Sequence, residues 1–360
     1  MKKISLLTIH VGANFGSILQ TIASVQILKK MGYDVTVVNY IPTRFTWKYI
    51  FHFPNLSHSL RWVISVFLEK VNSTYYQVFL RRFVTMSKKI FNQDNFIENC
   101  PKADFYVTGS DQVWNSIHNQ GLDKRYYFEG FDNAKKIAFS SSIGRDNIEE
   151  SEFQEMKRML SSYKAISVRE SNARLMIESM GYDVTHILDP TLLLDSNDWK
   201  QIMSKRIVKE KYLLIYAPYS VRDKDLIYKS ARVIANNRKL QVVTFTWDIR
   251  NEHRADKTIK FANPGDFLSL MFYADYIITT SFHGTAFSIN LNKQFSVYLP
   301  KGFGVRLQSI LSLCGLDDRI VNSSSIIVDN MNYIDYSRVN SILHDERIKA
   351  NIFLTNALKN

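Results

Sequence analysis

Residues that mark disulfide-rich or membrane-spanning proteins are scarce in this sequence of 360 residues. There are two cysteines, Cys100 and Cys314, which lie far apart and without the spacing of metal ligands. This argues against a disulfide framework and against a zinc site, so a reducing cytoplasm is the simpler expectation. No apolar run approaches the roughly 20 residues that a transmembrane helix needs. Low-complexity tracts and short repeats are also missing.

The first residues imitate a signal peptide without matching one. Lys2 and Lys3 precede an apolar run, but His10 interrupts that run and no clean small-residue cleavage site follows. We therefore expect this segment to be the first β-strand of a folded domain.

Acidic residues are few relative to basic ones, with 34 Asp and Glu against 46 Lys and Arg, a formal net charge of +12. Such a balance is typical of proteins that meet nucleic acid, an anionic membrane surface or phosphate-bearing substrates, or that simply carry a solvated basic surface. No helix-turn-helix, zinc or stacking-strand motif supports nucleic-acid binding. We expect no nucleic-acid partner.

Apolar runs rich in β-branched residues alternate with helical periodicity along most of the chain, a pattern typical of parallel sheets flanked by helices. The predicted strands are 3–10, 34–40, 103–108, 136–140, 165–168, 184–188, 212–216, 241–245, 276–280 and 294–299. The length favours two or more domains. We predict an N-terminal Rossmann-like domain over residues 1–188, a second over 189–335, and a C-terminal helix over 336–360. The first strand-to-helix turn lacks the Gly-x-Gly-x-x-Gly pattern, so no NAD site is predicted.

Residues 44–99 differ from the rest of the first domain, because aromatic residues interleave there with eight Lys and Arg and three Asp and Glu. The pattern predicts a helical insertion. It is either a helical cap whose aromatic residues pack inward or a surface that lies on an anionic membrane.

The sharpest candidate for a site is the turn that follows the predicted strand 276–280. It reads Ser281-Phe282-His283-Gly284-Thr285 and leads into a helix. Ligands of open α/β sheets bind at the carboxyl ends of strands, and a helix N-terminus there favours an anion. His283 is therefore either a titratable group beside a bound anion or only a capping residue, and Gly284 either admits a ligand or only makes the turn.

Polar residues also follow four predicted strands of the first domain, where each can contact substrate or only cap a helix and close a turn. Asp111 is a candidate base, Trp114 can stack on a sugar ring, and Arg169 can clamp a carboxylate or phosphate. The candidates of this domain are Asn14, Gly16, Gly109, Ser110, Asp111, Trp114, Ser142 and Arg169.

Six short motifs, in this order, resemble those of the polysaccharide pyruvyl transferase family. They span most of the chain and are Gly12-Ala13-Asn14-Phe15-Gly16 with Leu19-Gln20, Gly109-Ser110-Asp111-Gln112-Val113-Trp114-Asn115, Ser142-Ile143-Gly144, Arg169-Glu170-Ser171, Asp189-Pro190-Thr191-Leu192-Leu193 and Ser281-Phe282-His283-Gly284-Thr285. The implied fold is α/β, with two Rossmann-like domains facing across a cleft as in glycosyltransferase-B enzymes.

The resemblance implies transfer of pyruvate from phosphoenolpyruvate to two hydroxyls of a sugar in a polysaccharide precursor, giving a cyclic ketal and free phosphate. It implies no cofactor and no metal, since phosphoenolpyruvate is the donor substrate. His283 is then the candidate general acid, with Asp111 as base toward the sugar. Arg169 and Arg306 are then expected to bind the donor. This chain has Ser281 where some members carry Arg, which leaves open the residue that binds the phosphate.

The acceptor expected from the resemblance is a sugar, in some pathways linked to a lipid diphosphate, and such a substrate suits peripheral contact with an anionic membrane at its inner leaflet. Two other functions stay open from the sequence. A sugar-nucleotide-dependent glycosyltransferase shares the architecture, and a non-catalytic carbohydrate-binding protein would need no turnover.

Overall fold

The computed structural model describes residues 1–42, 45, 60–91, 95–219, 224–246, 252–300, 304–321, 326 and 332–359. The chain divides into two compact units. The first comprises Met1–Leu193 together with Asp345–Asn360, and the second comprises Leu194–His344. The predicted boundary after residue 188 lies just before this division, whereas the last part of the C-terminal helix belongs to the first unit.

A seven-stranded parallel sheet forms the centre of the first unit, in the order β3-β2-β1-β4-β5-β6-β7. Its strands read as buried apolar runs because helices cover such a sheet. They are β1 Lys3–Leu7, β2 Asp34–Val37, β3 Thr85–Met86, β4 Phe105–Thr108, β5 Lys136–Ser141, β6 Tyr163–Val168 and β7 Thr185–His186.

The helices of the first unit are α1 Phe15–Lys30, α2 Leu60–Leu80, α3 Phe96–Asn99, α4 Ser116–Asn119, α5 Glu150–Leu160, α6 Ser171–Ser179 and α7 Pro190–Leu193. Helix α1 begins after Asn14, whose side chain accepts hydrogen bonds from the N–H groups of Gly16 and Ser17. A polar N-cap of this kind satisfies amides that have no partner within the helix.

The second unit has a six-stranded parallel sheet in the order β10-β9-β8-β11-β12-β13. These strands are β8 Tyr212–Tyr216, β9 Gln241–Thr246, β10 Lys257–Lys260, β11 Tyr276–Thr279, β12 Gln294–Tyr298 and β13 Ile320–Val321. Its helices are α8 Ser196–Lys200, α9 Lys224–Arg238, α10 Pro264–Tyr273, α11 Phe282–Asn290 and α12 Gly304–Cys314, and α13 Tyr336–Ala357 passes from this unit into the first.

The predicted fold class is confirmed as two Rossmann-like units, each with a parallel sheet and flanking helices. Predicted strand 212–216 coincides with β8, and the other predicted strands agree with observed ones to within a few residues. The strands β3, β10 and β13 were not predicted. All three lie at a sheet edge and two of them have only two residues.

The predicted insertion is helical in part, since α2 occupies Leu60–Leu80 and α3 occupies Phe96–Asn99, but Thr85–Met86 between them form strand β3 of the central sheet. The aromatic residues of the predicted insertion that fall within 46–59 lie outside the described residues. Within the part of the chain that the structure describes, we find no helix with both the length and the apolar character needed to cross a bilayer.

Candidate active site

Strand β11 leads directly into helix α11 through a turn that is held by its own side chains. The Ser281 side chain caps the helix by accepting a hydrogen bond from the N–H of Gly284 at 3.4 Å. The N–H of Ser281 donates to Oγ1 of Thr279 at 3.1 Å. The Thr285 hydroxyl donates to the Ser281 carbonyl at 3.1 Å. Ser281 and Thr285, both predicted to bind substrate, therefore hold the turn in shape.

Gly284 is required by packing against the sheet. A Cβ atom at this position would lie 2.2 Å from Oγ1 of Thr279 and 2.9 Å from Cδ1 of Tyr216. Both contacts are shorter than van der Waals separations allow. The prediction that Gly284 leaves room for a ligand is corrected, because the space beside its α-carbon is filled by β11 and β8.

Three side chains meet at the carboxyl end of β11, and their chemistry suits an anion. The Phe282 ring lies edge-on to the His283 imidazole, with centroids 5.2 Å apart and an interplanar angle of 83°. The Arg306 guanidinium lies 5.8 Å from the centroid of the same ring. His283 is 6% exposed and Arg306 is 5% exposed. Because water is largely excluded there, the charge of the Arg306 guanidinium acts more strongly on a ligand than it would in solvent.

In the first unit, Arg169 lies at the centre of a buried ionic cluster. Its guanidinium is 2.5 Å from Asp189, 3.2 Å from Glu170 and 3.5 Å from Asp111, measured between nitrogen and oxygen. The Arg169 side chain is 0% exposed. Burial opposes its charged form, but the three carboxylates outweigh burial and raise the pKa of the guanidinium above its ordinary value.

Hydroxyl groups from several motifs hold the carboxylates of this cluster in place. The Ser110 hydroxyl donates to Asp189 at 2.9 Å, and the Ser142 hydroxyl donates to Glu170 at 2.5 Å. The hydroxyl and the N–H of Thr191 both donate to Asp189, at 2.7 and 2.9 Å. Four of the motifs singled out in the sequence therefore converge on one network at the carboxyl ends of β4, β5 and β6.

Asp111 lies at the edge of this network, where it is 6% exposed. The Ser17 hydroxyl donates to one of its carboxylate oxygens at 2.7 Å, and the N–H of Gln112 donates to the other at 2.9 Å. Its backbone has φ of 69°, a left-handed conformation that is uncommon for residues other than glycine. The carboxylate is thus held in one orientation, as a base acting on a bound hydroxyl would need.

The surroundings of Arg169 favour pairing with carboxylates of its own unit over contact with the donor. Its nitrogens face Asp111, Glu170 and Asp189, so its charge is compensated within the protein. The guanidinium has no exposed surface, and it lies within ion-pair distance of the Asp111 carboxylate.

Trp114 is corrected to a core residue. The indole is 1% exposed, stacks on Tyr127 with centroids 5.5 Å apart and donates its Nε1–H to the Tyr126 carbonyl at 3.3 Å. Both the ring and its polar atom are used by the interior, so stacking on a sugar is not supported.

Packing and capping also account for the remaining candidates in the first unit. A Cβ atom on Gly109 would lie 2.9 Å from Cβ of Thr8, so glycine lets β4 approach β1 closely. Asn14 caps α1, and the N–H of Gly16 donates to its side chain at 2.8 Å. The observed contacts of Gly109, Asn14 and Gly16 are therefore those of residues that pack in a turn or cap a helix.

Asp189 and Ser17 were not predicted as site residues, although both belong to this network. The Asp189-Pro190-Thr191 motif was predicted to lie at the domain boundary and to belong to the family resemblance, but no role in the site was predicted for it. The signal available for Asp189 was its position. It follows the strand that neighbours the one leading to Arg169. No local pattern pointed to Ser17, which contacts Asp111 from a distant part of the chain.

The family model described as polysaccharide pyruvyl transferase matches residues 14–299 of this chain. Among solved structures, the glycotransferase of kitacinnamycin is similar with a TM-score of 0.50 and 12% identity, over 99% of this chain and 99% of that chain. A UDP-N-acetylglucosamine 2-epimerase is similar with a TM-score of 0.51 and 11% identity, over 98% of this chain and 90% of that chain. At such identities the likeness concerns the fold alone. No curated protein sequence matches the chain.

Proposed function

The chain belongs to the polysaccharide pyruvyl transferase family, and from this premise we propose that it transfers pyruvate from phosphoenolpyruvate to two hydroxyls of a sugar in a polysaccharide precursor. The products are a cyclic pyruvate ketal and inorganic phosphate. The observation that carries the proposal is the family match over residues 14–299, which includes Asp111, Arg169 and His283.

The proposed reaction begins with protonation of the methylene carbon of phosphoenolpyruvate, which leaves an oxocarbenium-like centre at C2. One sugar hydroxyl attacks C2 and gives up its proton. The bond between C2 and the phosphate oxygen then breaks, and a second hydroxyl closes the ketal. Two protons leave the sugar, one replacing the proton added to the methylene carbon and one leaving with phosphate, so the reaction is balanced without an oxidant or reductant.

The second unit supports the donor half of this chemistry. We propose that His283 is the general acid, because imidazole titrates near neutral pH and can deliver a proton to carbon. Arg306, which contacts the same phenylalanine ring as His283, supplies a fixed positive charge for the carboxylate or phosphate of the donor. A guanidinium suits these groups because its fork of N–H donors matches two oxygens at once.

The first unit supports the acceptor half. We propose that Asp111 accepts the proton of a sugar hydroxyl, since its carboxylate is oriented by Ser17 and by Arg169. Arg169 acts through Asp111 and is a positioning residue. Ion pairs with three carboxylates account for an arginine at this position, and contact with the donor is not needed to explain it.

We further propose that the acceptor is carried on a lipid diphosphate and that the enzyme works in the cytoplasm at the inner membrane leaflet. The net charge of +12 supports this part, because it favours both a diphosphate-bearing substrate and an anionic membrane.

Incubation of the purified protein with phosphoenolpyruvate and a panel of lipid-linked galactose, mannose and N-acetylated acceptors tests the reaction. The expected result is phosphate release that depends on an acceptor, together with a ketal methyl signal in the proton NMR spectrum of the product. Turnover with a sugar nucleotide in place of phosphoenolpyruvate would instead assign the protein to glycosyl transfer.

A matched pair of variants tests the donor half. Arg306→Gln is expected to raise KM for phosphoenolpyruvate at least tenfold, since a charged hydrogen bond contributes about 1.5–3 kcal/mol. Arg319→Gln, which alters another buried arginine of the same unit, should leave this KM unchanged if its own fold is retained. An unchanged KM for Arg306→Gln would remove Arg306 from the donor site.

A further inference from the structure

Helix α2 has one face that is buried in the first unit. Tyr76 and Leu80 are 0% exposed and Phe79 is 7% exposed. The Tyr76 ring stacks on Phe15 of α1, with centroids 5.2 Å apart. The helix is therefore docked on the domain, and its rotation about its own axis is fixed.

The opposite face of α2 is apolar and exposed. Phe67 is 60% exposed, Val71 and Tyr75 are each 46% exposed and Val78 is 52% exposed. At about 100° per residue these four positions fall within an arc of about 80°. They form a continuous stripe, which we call the α2 stripe. Contiguous apolar surface of this kind on a folded domain marks an interaction site.

Basic side chains border the α2 stripe. Lys70 and Arg81 lie on α2 or directly after it, within about 60° of the stripe on one side. A cavity of about 480 Å³ opens on that side, lined by Lys70, Arg81 and Lys89 together with Val78 and Phe91. Phe91 is 57% exposed, so the apolar surface extends beyond the helix to the far wall of this cavity.

The charge around the stripe is almost entirely positive. Residues 67–91 contain Lys70, Arg81, Arg82, Lys88 and Lys89 against one acid, Glu69. Among the described residues, neither Arg81 nor Lys89 forms an ion pair with a carboxylate. A second copy of the chain would bring like charges together on this surface, whereas an anionic bilayer would neutralise them.

We infer that the α2 stripe lies in the interface of an anionic lipid bilayer, with the exposed Arg81 and Lys89 at the level of the lipid phosphates. The helix has the pattern of an interfacial segment, since one face is apolar and aromatic while lysine and arginine flank it. This inference identifies the surface through which the protein contacts the membrane in the proposed location. It rests on the proposed function only for its biological purpose, because lipid binding needs no substrate.

Sedimentation of the full chain with vesicles tests the inference. Vesicles of phosphatidylcholine alone are compared with vesicles of phosphatidylcholine mixed with phosphatidylglycerol, at low and moderate salt. The wild-type protein is expected to pellet with the mixed vesicles and to remain in solution with the neutral ones. Salt should weaken the binding, because it screens the attraction between surface charges.

Two double variants separate the apolar and the charged contributions. Phe67→Ser with Val71→Ser is expected to weaken partitioning more than about tenfold, since each buried apolar side chain contributes about 1.5–3 kcal/mol when fully inserted. Arg81→Gln with Lys89→Gln is expected to weaken it about thirtyfold at low salt, at about 1 kcal/mol for each cation near the surface.

Matched controls carry the same substitutions elsewhere on the first unit. Ile348 and Ile352 of α13 are 47% and 56% exposed, so Ile348→Ser with Ile352→Ser changes exposed apolar surface away from the stripe. Lys157→Gln with Arg174→Gln removes two exposed cations. Both controls should bind the mixed vesicles as the wild-type protein does. Thermal unfolding of each variant checks that it is folded.

The inference is overturned if the wild-type protein stays in solution with the mixed vesicles, or if both stripe variants pellet as it does. Sedimentation velocity without lipid provides a further check. Concentration-dependent self-association that Phe67→Ser with Val71→Ser abolishes would assign the stripe to a second copy and overturn the inference. Phosphate release from phosphoenolpyruvate is measured separately, so failure of lipid binding and failure of the proposed reaction are distinguished.

Discussion

The two arginines assigned to the site, Arg169 and Arg306, are both buried, but their neighbours differ. Arg169 has three carboxylates around its guanidinium, whereas Arg306 packs against the aromatic ring that also contacts His283. A buried cation enclosed by carboxylates contributes to the arrangement of those carboxylates. Arg306 lies over the Phe282 ring, which also contacts His283.

Removal of Arg169 should therefore destabilise the first unit. We expect Arg169→Met to lower the free energy of unfolding by about 3–5 kcal/mol, because it leaves buried carboxylates without their counter-charge. Arg174→Met is the control, since its pair with Glu178 is 3.7 Å long and nearly half exposed. The control should cost less than about 1 kcal/mol in chemical denaturation.

If Arg169→Met kept the stability of the wild-type protein and only raised KM for phosphoenolpyruvate, Arg169 would contact the donor after all.

His283 is expected to act on the rate of reaction. His283→Gln should lower kcat by about 10²–10⁴-fold, the contribution usual for a positioned general acid, with little change in thermal stability. His253→Gln serves as the control, because the His253 side chain is 88% exposed in the same unit. Steady-state phosphate release measures both variants. A kcat near the wild-type value for His283→Gln would show that another group donates the proton.

At the residue scale, the sequence located the polar motifs but could not assign their roles. Arg169, Trp114 and Gly109 each follow a strand at the edge where ligands bind, and chemistry alone made them candidates for substrate contact. Their burial depends on neighbours such as Asp189, Tyr127 and Thr8, which are distant in the sequence. Secondary-structure propensity and motif spacing do not show whether such a residue is covered by the rest of the protein or open to a ligand.

At the element scale, the contact between β11 and α11 depends on one missing side chain. We expect Gly284→Ala to lower the free energy of unfolding by about 1–3 kcal/mol, the usual cost of overpacking. The new Cβ atom would lie 2.2 Å from Oγ1 of Thr279. The helix would have to move away from the strand, and His283 would move with it.

Gly304→Ala is the matched control for Gly284→Ala, since the nearest atom to its new Cβ would lie 3.9 Å away. Chemical denaturation should show a change of less than about 0.5 kcal/mol for this variant. Equal stability of Gly284→Ala and the wild-type protein would contradict the tight packing of α11 on β11.

The elements themselves were predictable where burial on both faces leaves a long apolar run. Strands β8 and β11 are fully buried and were predicted nearly to the residue. The edge strand β10 has a mixed pattern because only part of it is covered, and β3 and β13 are too short to show any periodicity. Such strands are defined by the neighbour that they pair with, which the sequence alone does not reveal.

At the scale of the whole molecule, the end of the chain returns to the unit in which it began. Helix α13 starts in the second unit, and its last residues belong to the first. The Nε–H of Arg347 donates to the Leu192 carbonyl at 3.0 Å, and the Tyr33 hydroxyl donates to the Leu358 carbonyl at 3.1 Å. The sequence predicted this helix but not its place, because its apolar pattern fits either domain.

The stability of the first unit should therefore depend on α13. Leu354 is 1% exposed, and Leu354→Ala is expected to lower the free energy of unfolding by about 2–5 kcal/mol, as for other buried leucines. Ile352→Ala on the same helix should change the free energy of unfolding little, because Ile352 is 56% exposed.

Hydrogen exchange followed by mass spectrometry measures where Leu354→Ala causes a loss of protection. Faster exchange in β6 and β7, with β8 and β11 unchanged, is the expected result, since residues of β6 and β7 line a cavity together with α13. Faster exchange confined to β8 and β11 would assign the end of α13 to the second unit.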